Sequence, residues 1–363
     1  MNPIERAATR LSYGLTQGAR VAWYTSQGIA MRRMVGRMEK DLPPPKRQFT
    51  PPKTPTPSLQ TLLAGVAKLM AKDMAHVEAG LYPMPEDEEG HLPDILARAR
   101  RFFADAPKVQ MRRRENRHQE VYENHRDESD LPRYFLQNFH FQTDGWMSRE
   151  SAELYDTQVD VLFHGATGAM RRMGLAEVVR ASLGKDQRAL TMVDIATGTG
   201  AFLRDLTRAL PRLPITGIDL SKDYLGEAEA RYGHRSRVSF KQANAEEMPF
   251  QSDSIDIASC IYLFHELPPK VRRIVAKEIA RILKPGGTFV FVDSLQTDDT
   301  PAYNGLLESF PELFHEPYFQ GYLEEDLSSI FEEAGLTCEK SAPHFFSKVM
   351  VFRKPAKVKV RDG

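Results

Sequence analysis

The stretch VDIATGTGAF, residues 193–202, lies between an apolar run and a helical pattern. It puts one carboxylate, Asp194, just ahead of Ala196, Gly198 and Gly200. Small residues in a turn between strand and helix let a ligand come close to the backbone, a common way to hold a nucleotide. Read with Ala196, Gly198 and Ala201, the turn approximates the G-x-G-x-x-G/A pattern of dinucleotide sites. On its own it does not choose between nucleotides. Nor does it say whether an alanine at 196, where a further glycine is expected, matters. Alanine costs nothing there if its φ is negative.

The elements around that turn alternate. ALTMVDIA is a strand and AFLRDLTRALP a helix, then ITGIDLS a strand and KDYLGEAEARYG a helix. VSFKQANAEEMPF is a third strand with a loop, and SIDIASCIYLFHEL a fourth strand running out into one. KVRRIVAKEIARILKPGG is a helix ended by Pro and Gly, and TFVFVDS a fifth strand. Strands that are apolar almost throughout, each followed by a helix, predict an α/β fold with a mostly parallel, doubly wound sheet covered on both faces. After the helix EEDLSSIFEEAGL, the segments TCEKSAP and FFSKVMVFRK follow with no helix between, which predicts an antiparallel hairpin at the sheet edge.

Four ordered segments over about residues 150–355 resemble the class I S-adenosylmethionine-dependent methyltransferases. VDIATGTG resembles the first family motif, ITGIDLS the second, QANAEEMPFQSDSIDIASC the adenine loop and fourth strand, and ILKPGGTFVFVD the late helix, turn and fifth strand. The resemblance implies a seven-stranded Rossmann-like sheet and S-adenosyl-L-methionine as cofactor. That molecule carries a sulfonium, an amino group and a carboxylate but no phosphate, so it needs acids more than a pyrophosphate cradle. The resemblance then assigns roles. Gly198 and Gly200 give the ligand room. Asp194 accepts from the ammonium group, and the two oxygens of Asp219 accept from the ribose hydroxyls. Asn244 stands where the family often has Asp and accepts from the adenine amino group, while the backbone of Ala245 donates to the ring. Leu220 and Met248 face the purine, and Ala196 and Cys260 complete the cofactor set. The plainer alternatives are local: Asp194 as a turn cap, Asp219 as a strand-end acid.

Within that family the ubiquinone/menaquinone C-methyltransferases are most similar at the cofactor motifs, with Ala at the position of 196 and a NAE..PF loop. The chain departs from them at YLFHELP, where they usually carry FGLRN after the fourth strand. The implied reaction is in-line displacement of the methyl group onto a small, lipophilic or aromatic acceptor. Alignment and exclusion of water supply most of the acceleration. His265 is the candidate base where the acceptor must lose a proton, although H-E-L-P also reads as the start of the next helix. Tyr262 and Tyr155 are placed at the methyl-transfer opening, and His140 and Trp146 on the acceptor wall. Residues 295–324, rich in Phe, Tyr and Leu, are expected to close over the ligand with the aromatic segment 134–146. Two other readings stay open: a methyltransferase-like scaffold or assembly factor without turnover, and an NAD(P)-dependent oxidoreductase.

The 363 residues allow one large domain with additions, and a 41% hydrophobic content allows a sizeable core. Lys plus Arg and Asp plus Glu balance at 49 each, so no nucleic-acid partner is expected from overall charge. Two cysteines, Cys260 and Cys338, exclude a disulfide framework and point to a reducing, cytoplasmic setting; no metal site follows from them. No apolar run approaches the roughly 20 residues that cross a bilayer.

Ahead of the cofactor region the chain divides into three parts. Residues 1–40 hold seven Lys/Arg against two acids, with a loose stripe of Leu11, Leu15, Ala22, Trp23 and Ile29. Such a helix suits peripheral membrane contact, an organelle-targeting peptide, or packing on its own protein. Residues 41–58 carry seven prolines and predict an extended linker rather than a packed element. Residues 59–150 read as a helical region. Helices are expected from Leu59 to about Ala79 behind a Ser58 cap, from Pro93 to about Ala104, and after Ser148. The methyltransferase region takes 151–355, and 356–363 form a basic tail.

Overall fold

The computed structural model describes residues 2–45, 49–86, 91–125 and 130–356. The proposed basic tail lies outside them except for Ala356. Six helices precede the first strand: α1 Pro3–Lys40, α2 Leu59–Glu78, α3 Leu92–Glu115, α4 Glu120–His125, α5 Arg149–Leu162 and α6 Thr167–Ser182. Then follow β1 Met192–Ile195, α7 Ala201–Ala209, β2 Ile215–Asp219, α8 Lys222–Tyr232, β3 Val238–Gln242, β4 Ile255–Ile261, α9 Pro269–Ile282 and β5 Leu283–Ser294. The chain closes with α10 Asn304–Phe314, α11 Phe319–Glu324, α12 Leu327–Glu333, β6 Thr337–His344 and β7 Ser347–Arg353.

The seven strands form one sheet in the order β3-β2-β1-β4-β5-β7-β6. β1 pairs in parallel with β2 and β4, and β2–β3 and β4–β5 are parallel too. β7 runs antiparallel between β5 and β6, so the hairpin read from the sequence is present with its second strand inserted. All four residues of β1 are buried, as a strand covered on both faces requires. The chain runs outward from β1 through β2 to β3, then returns to place β4 on the other side of β1. The crevice at the carboxyl ends of β1 and β4 is therefore the switch point where open α/β sheets bind ligands.

The N-terminal helices depart from expectation in their faces. Leu11 and Leu15 are exposed; α1 instead buries Tyr13, Gln17, Arg20, Tyr24 and Gln27. That polar, aromatic stripe pairs with specific acids: the Tyr13 hydroxyl donates to Asp73 at 2.6 Å and Arg20 to Asp160. A hydrophobicity count misses such a stripe because its anchoring atoms are polar. Ser58 and Ser148 both cap their helices, each accepting from the backbone N–H three residues on. α3 continues past Ala104 through Pro107 to Glu115. The proline-rich stretch forms no regular element, yet it is docked rather than free. Thr50 N–H donates to Glu312, and Lys53 and Thr54 N–H to Glu308, both acids on α10. No described helix is long and apolar enough to cross a membrane.

Candidate functional site

β1 ends on Ile195 and the chain turns at once. Ala196, Gly198 and Gly200 all have positive φ, at 55°, 54° and 75°. Alanine at 196 therefore sits in the left-handed region after all, where a Cβ costs roughly 1–2 kcal/mol. The two glycines differ in purpose. A side chain at Gly198 would meet no atom within 4 Å, so its open side faces the cavity. A Cβ at Gly200 would lie 2.9 Å from the Tyr232 ring, so that glycine serves the close approach of α7 to α8 rather than a ligand.

The cavity at the switch point is lined by Asp194, Ala196, Gly198, Asp219, Leu220, Asn244 and Ala245. Its lining also holds Tyr134, Phe135, Phe139, Trp146, Tyr155 and Tyr262, with Arg171 and Glu266. The fold brings these together from the ends of β1, β2 and β4, the loops after β3 and β4, the segment between α4 and α5, and helices α5 and α6.

Asp194 and Asp219 are held by different means. Thr197 and Ser259 hydroxyls donate to Asp194 at 2.7 and 2.6 Å. The backbone N–H groups of Gly198 and Ser221 donate to the two oxygens of Asp219, each at 2.8 Å. A carboxylate has about four acceptor sites, so each oxygen of Asp219 can still take a ligand hydroxyl. Burial pushes both carboxyls up to about 6, against the hydrogen bonds that favour the charged form. Asn244 Oδ1 accepts from the Glu246 N–H at 3.0 Å, and the Tyr134 hydroxyl donates to Glu246 at 2.8 Å. The loop after β3 is thus tied to the aromatic side of the cavity.

Five of the residues singled out in the sequence stand outside the lining, among them His140, which packs behind Trp146 and Tyr155 instead of forming the acceptor wall. Gly200 has been described. Met248 and Cys260 are buried in the apolar core on the far side of the cavity wall, packed with Val193, Ile195 and Ile218. Burial drives the Cys260 thiol well up, so it stays an un-ionised core residue. His265 is also outside the lining: its Nδ1 lies 2.5 Å from Asp293 Oδ1. Burial alone would lower it, but the Asp293 carboxylate outweighs burial and pushes it up to about 9. The reason is the local turn. After β4 the chain passes through Tyr262 at φ 59° and makes one 3₁₀ turn over Phe264–Glu266, which sends residues 264 and 265 inward and Glu266 to the cavity.

Tyr155 and Tyr262 do line the cavity, and burial pushes the Tyr262 phenol up to about 12 and that of Tyr155 well above 10. Both stay protonated at neutral pH, and Tyr262 is anchored to Ser347 Oγ at 2.6 Å. Trp146 packs edge-on against Tyr155, Tyr224 and His140. The aromatic insertion 295–324 does not line the cavity; it backs the wall through Phe314 against His140 and through Tyr318, whose hydroxyl accepts from Gln137.

Sequence reasoning missed three groups. Arg171, on α6, lines the cavity with its guanidinium over the Tyr262 ring, 5.8 Å from the centroid. Asp156 accepts from Thr199 in the glycine turn and pairs with Arg231 at 2.7 Å; burial, which raises it, is outweighed by the Arg231 and Arg171 charges, so its carboxyl is lowered. Glu266 is driven well above the usual range by burial and by Glu316. Arg171 and Asp156 lie in helices whose periodicity gave no sign of them, and Glu266 was overshadowed by its histidine neighbour.

With this geometry in view, a family model described as a methyltransferase domain matches residues 192–287. A ubiquinone/menaquinone biosynthesis C-methyltransferase of Desulfotalea psychrophila is 28% identical over 160 residues, 44% of this chain and 59% of that protein. A demethylmenaquinone methyltransferase of Bacillus velezensis is 30% identical over 165 residues, 40% of this chain and 70% of that protein. Among solved structures, the magnesium protoporphyrin IX methyltransferase of Synechocystis PCC 6803 with bound SAH is 14% identical, with a TM-score of 0.42 over 55% of this chain and 87% of that one. The chain spans about half the length of the first curated relatives it matches, 59% and 46%.

Proposed function

Because the chain belongs to the class I S-adenosylmethionine-dependent methyltransferases, related to the ubiquinone/menaquinone C-methyltransferases, we propose that it methylates a small lipophilic or aromatic acceptor. The observation that carries this reading is one cavity whose lining combines buried carboxylates and glycine-turn backbone with a set of aromatic rings. The residues fit S-adenosylmethionine. Asp219 presents free lone pairs for the ribose, and Asp194 a buried carboxylate for the ammonium group. Asn244 and Ala245 lie beside Leu220, where a purine is gripped by its edge and face. Arg171 is the cation on the lining that suits the ligand's carboxylate.

The cofactor supplies a methyl carbon already activated by a sulfonium, whose S–C electron pair returns to sulfur as the acceptor's bond forms. The chain's part is position and dryness. Tyr155, Tyr262 and Trp146 form a stiff apolar wall that holds a planar or lipophilic acceptor and keeps water out. Glu266 is the acid that reaches the cavity from the turn after β4, and His265 with Asp293 fixes that turn from behind. The named substrates of the relatives, quinone precursors, support a lipophilic acceptor. The departure at YLFHELP leaves the ring system open.

The test uses purified protein with methyl-labelled cofactor and a fractionated lipid extract. Label transferred to a lipid-soluble product, lost in Asp219→Ala, is the expected result. Label found on protein or RNA and on no lipid component refutes the acceptor class.

A further inference from the structure

Behind the aromatic wall lies a cluster that the methyl-transfer reading does not use in full. His140, Glu266 and Glu316 each bring one ligand atom to a common point, all within 4.8 Å of one another. They come from three separate places: the irregular segment between α4 and α5, the turn after β4, and the segment between α10 and α11. Glu316 is the most telling. It is 1% exposed, and neither of its carboxylate oxygens takes a hydrogen bond from a described residue. His140 Nε2 comes to 2.5 Å of Glu316 Oε1, but without the alignment of a hydrogen bond. Besides these two, Glu266 has His265 Nε2 at 3.7 Å, and that ring is already engaged by Asp293. A buried carboxylate with unserved lone pairs is strongly unfavourable unless a cation or proton meets it.

We propose that His140, Glu266 and Glu316 bind one divalent metal ion at the edge of the acceptor side of the cavity. One imidazole and two carboxylates make a mixed set. The imidazole suits zinc or iron, the carboxylates manganese or magnesium, and two negative charges balance a divalent cation. Ligands at about 2.1 Å from a shared ion stand roughly 3 Å apart, so the His140–Glu316 pair, at 2.5 Å without the ion, opens on binding. The ring of His140 is oriented by neighbours rather than loose: it is edge-on to Trp146 at 5.6 Å and parallel to Tyr155 at 6.3 Å between centroids. Glu266 also lines the cavity. An ion held here sits beside the acceptor space, where it can bind an acceptor oxygen directly. The site itself stands independently of the methyl-transfer reading, since ion binding is measured without any turnover.

The experiment uses the full chain without a histidine tag, stripped with chelator and dialysed. Mn2+, Zn2+ and Mg2+ are titrated separately by calorimetry, and Mn2+ also by electron paramagnetic resonance. One ion per chain is expected for at least one metal, with affinity lowered tenfold or more in His140→Gln and in Glu266→Gln. Glu316→Gln is the third variant, used only if its circular dichroism and melting match the parent. Three results overturn the site: no stoichiometric binding of any of the three ions, binding unchanged in both His140→Gln and Glu266→Gln, or a proton shared between Glu266 and Glu316 that no ion displaces.

Discussion

The backbone N–H of Gly198 donates to Asp219 Oδ2 at 2.8 Å, joining the turn after β1 to the end of β2. One carboxylate therefore does two things: it fixes the glycine turn and it faces the cavity. Replacing Asp219 with alanine removes both. Hydrogen bonds to a charged group contribute about 1.5–3 kcal/mol, so Asp219→Ala is expected to weaken S-adenosylmethionine or S-adenosylhomocysteine binding by roughly 10- to 100-fold, read by calorimetry. Asp219→Asn keeps one acceptor and is expected to fall between. Unchanged affinity in a correctly folded alanine variant would put the ligand elsewhere.

The same carboxylate gives a pH dependence with Asp194. Both titrate near 6 because burial disfavours their charged forms. In the unfolded chain they titrate near 3.9. Between about pH 4 and 6 the folded state therefore holds more protons, and stability of the ligand-free protein from these two groups falls as pH rises through that window. Ligand binding runs the other way. An ammonium group and ribose hydroxyls need ionised acceptors, so affinity rises up to about pH 7 and then levels. The melting-temperature gain on adding S-adenosylhomocysteine is predicted to be larger at pH 7.5 than at pH 5. Equal gains at the two values count against both carboxylates as ligand groups.

Ala196 is a sharper case, because its backbone is at φ 55°. Glycine removes the left-handed penalty of about 1–2 kcal/mol but makes the unfolded chain freer by about 0.4–1 kcal/mol. The net expectation for Ala196→Gly is about 0.5–1 kcal/mol of added stability in denaturant unfolding. A loss of stability would mean the methyl group packs favourably against the turn.

Much of this was legible in the sequence, and the reasons for the rest are physical. The strand–helix alternation gave the parallel sheet because fully buried strands are apolar almost throughout, as β1 is. The acids at 194 and 219 could be placed because strand ends at a switch point point one way. Ala196 could not, because φ is set by the path from β1 into α7 and no residue type reports it. His265 drew attention as a histidine beside an acid, yet one 3₁₀ turn decided that Glu266 reaches the cavity instead. Glu316 and Arg171 were out of reach because the residues they meet, Glu266 and His140 for one and Tyr262 for the other, lie 50 or more positions away in the chain, and only the packed fold brings them in.

The N-terminal helices are joined to the sheet domain by a buried ion cluster, and its removal is the test of how far they depend on each other. Asp73 on α2 is fully buried. It accepts from Tyr13 on α1 and from Tyr82, both at 2.6 Å, and from Arg172 on α6 at 2.7 Å. Arg172 also reaches Asp205 on α7, at 3.1 Å. Taking away Asp73 removes one of the two carboxylates that meet the Arg172 guanidinium, itself 1% exposed, and the carboxylate acceptor of both phenols. Breaking a buried pair from one side costs about 3–5 kcal/mol, because the surviving charge stays desolvated. Asp73→Ala is predicted to lose that amount in denaturant unfolding. Asp73→Asn, which keeps an acceptor for the tyrosines, is predicted to lose less. Changing Asp73 to Leu together with Arg172 to Met removes both charges and is expected to recover a good part of the loss. If Asp73→Ala costs under 1 kcal/mol, the cluster is incidental to the docking of the N-terminal helices.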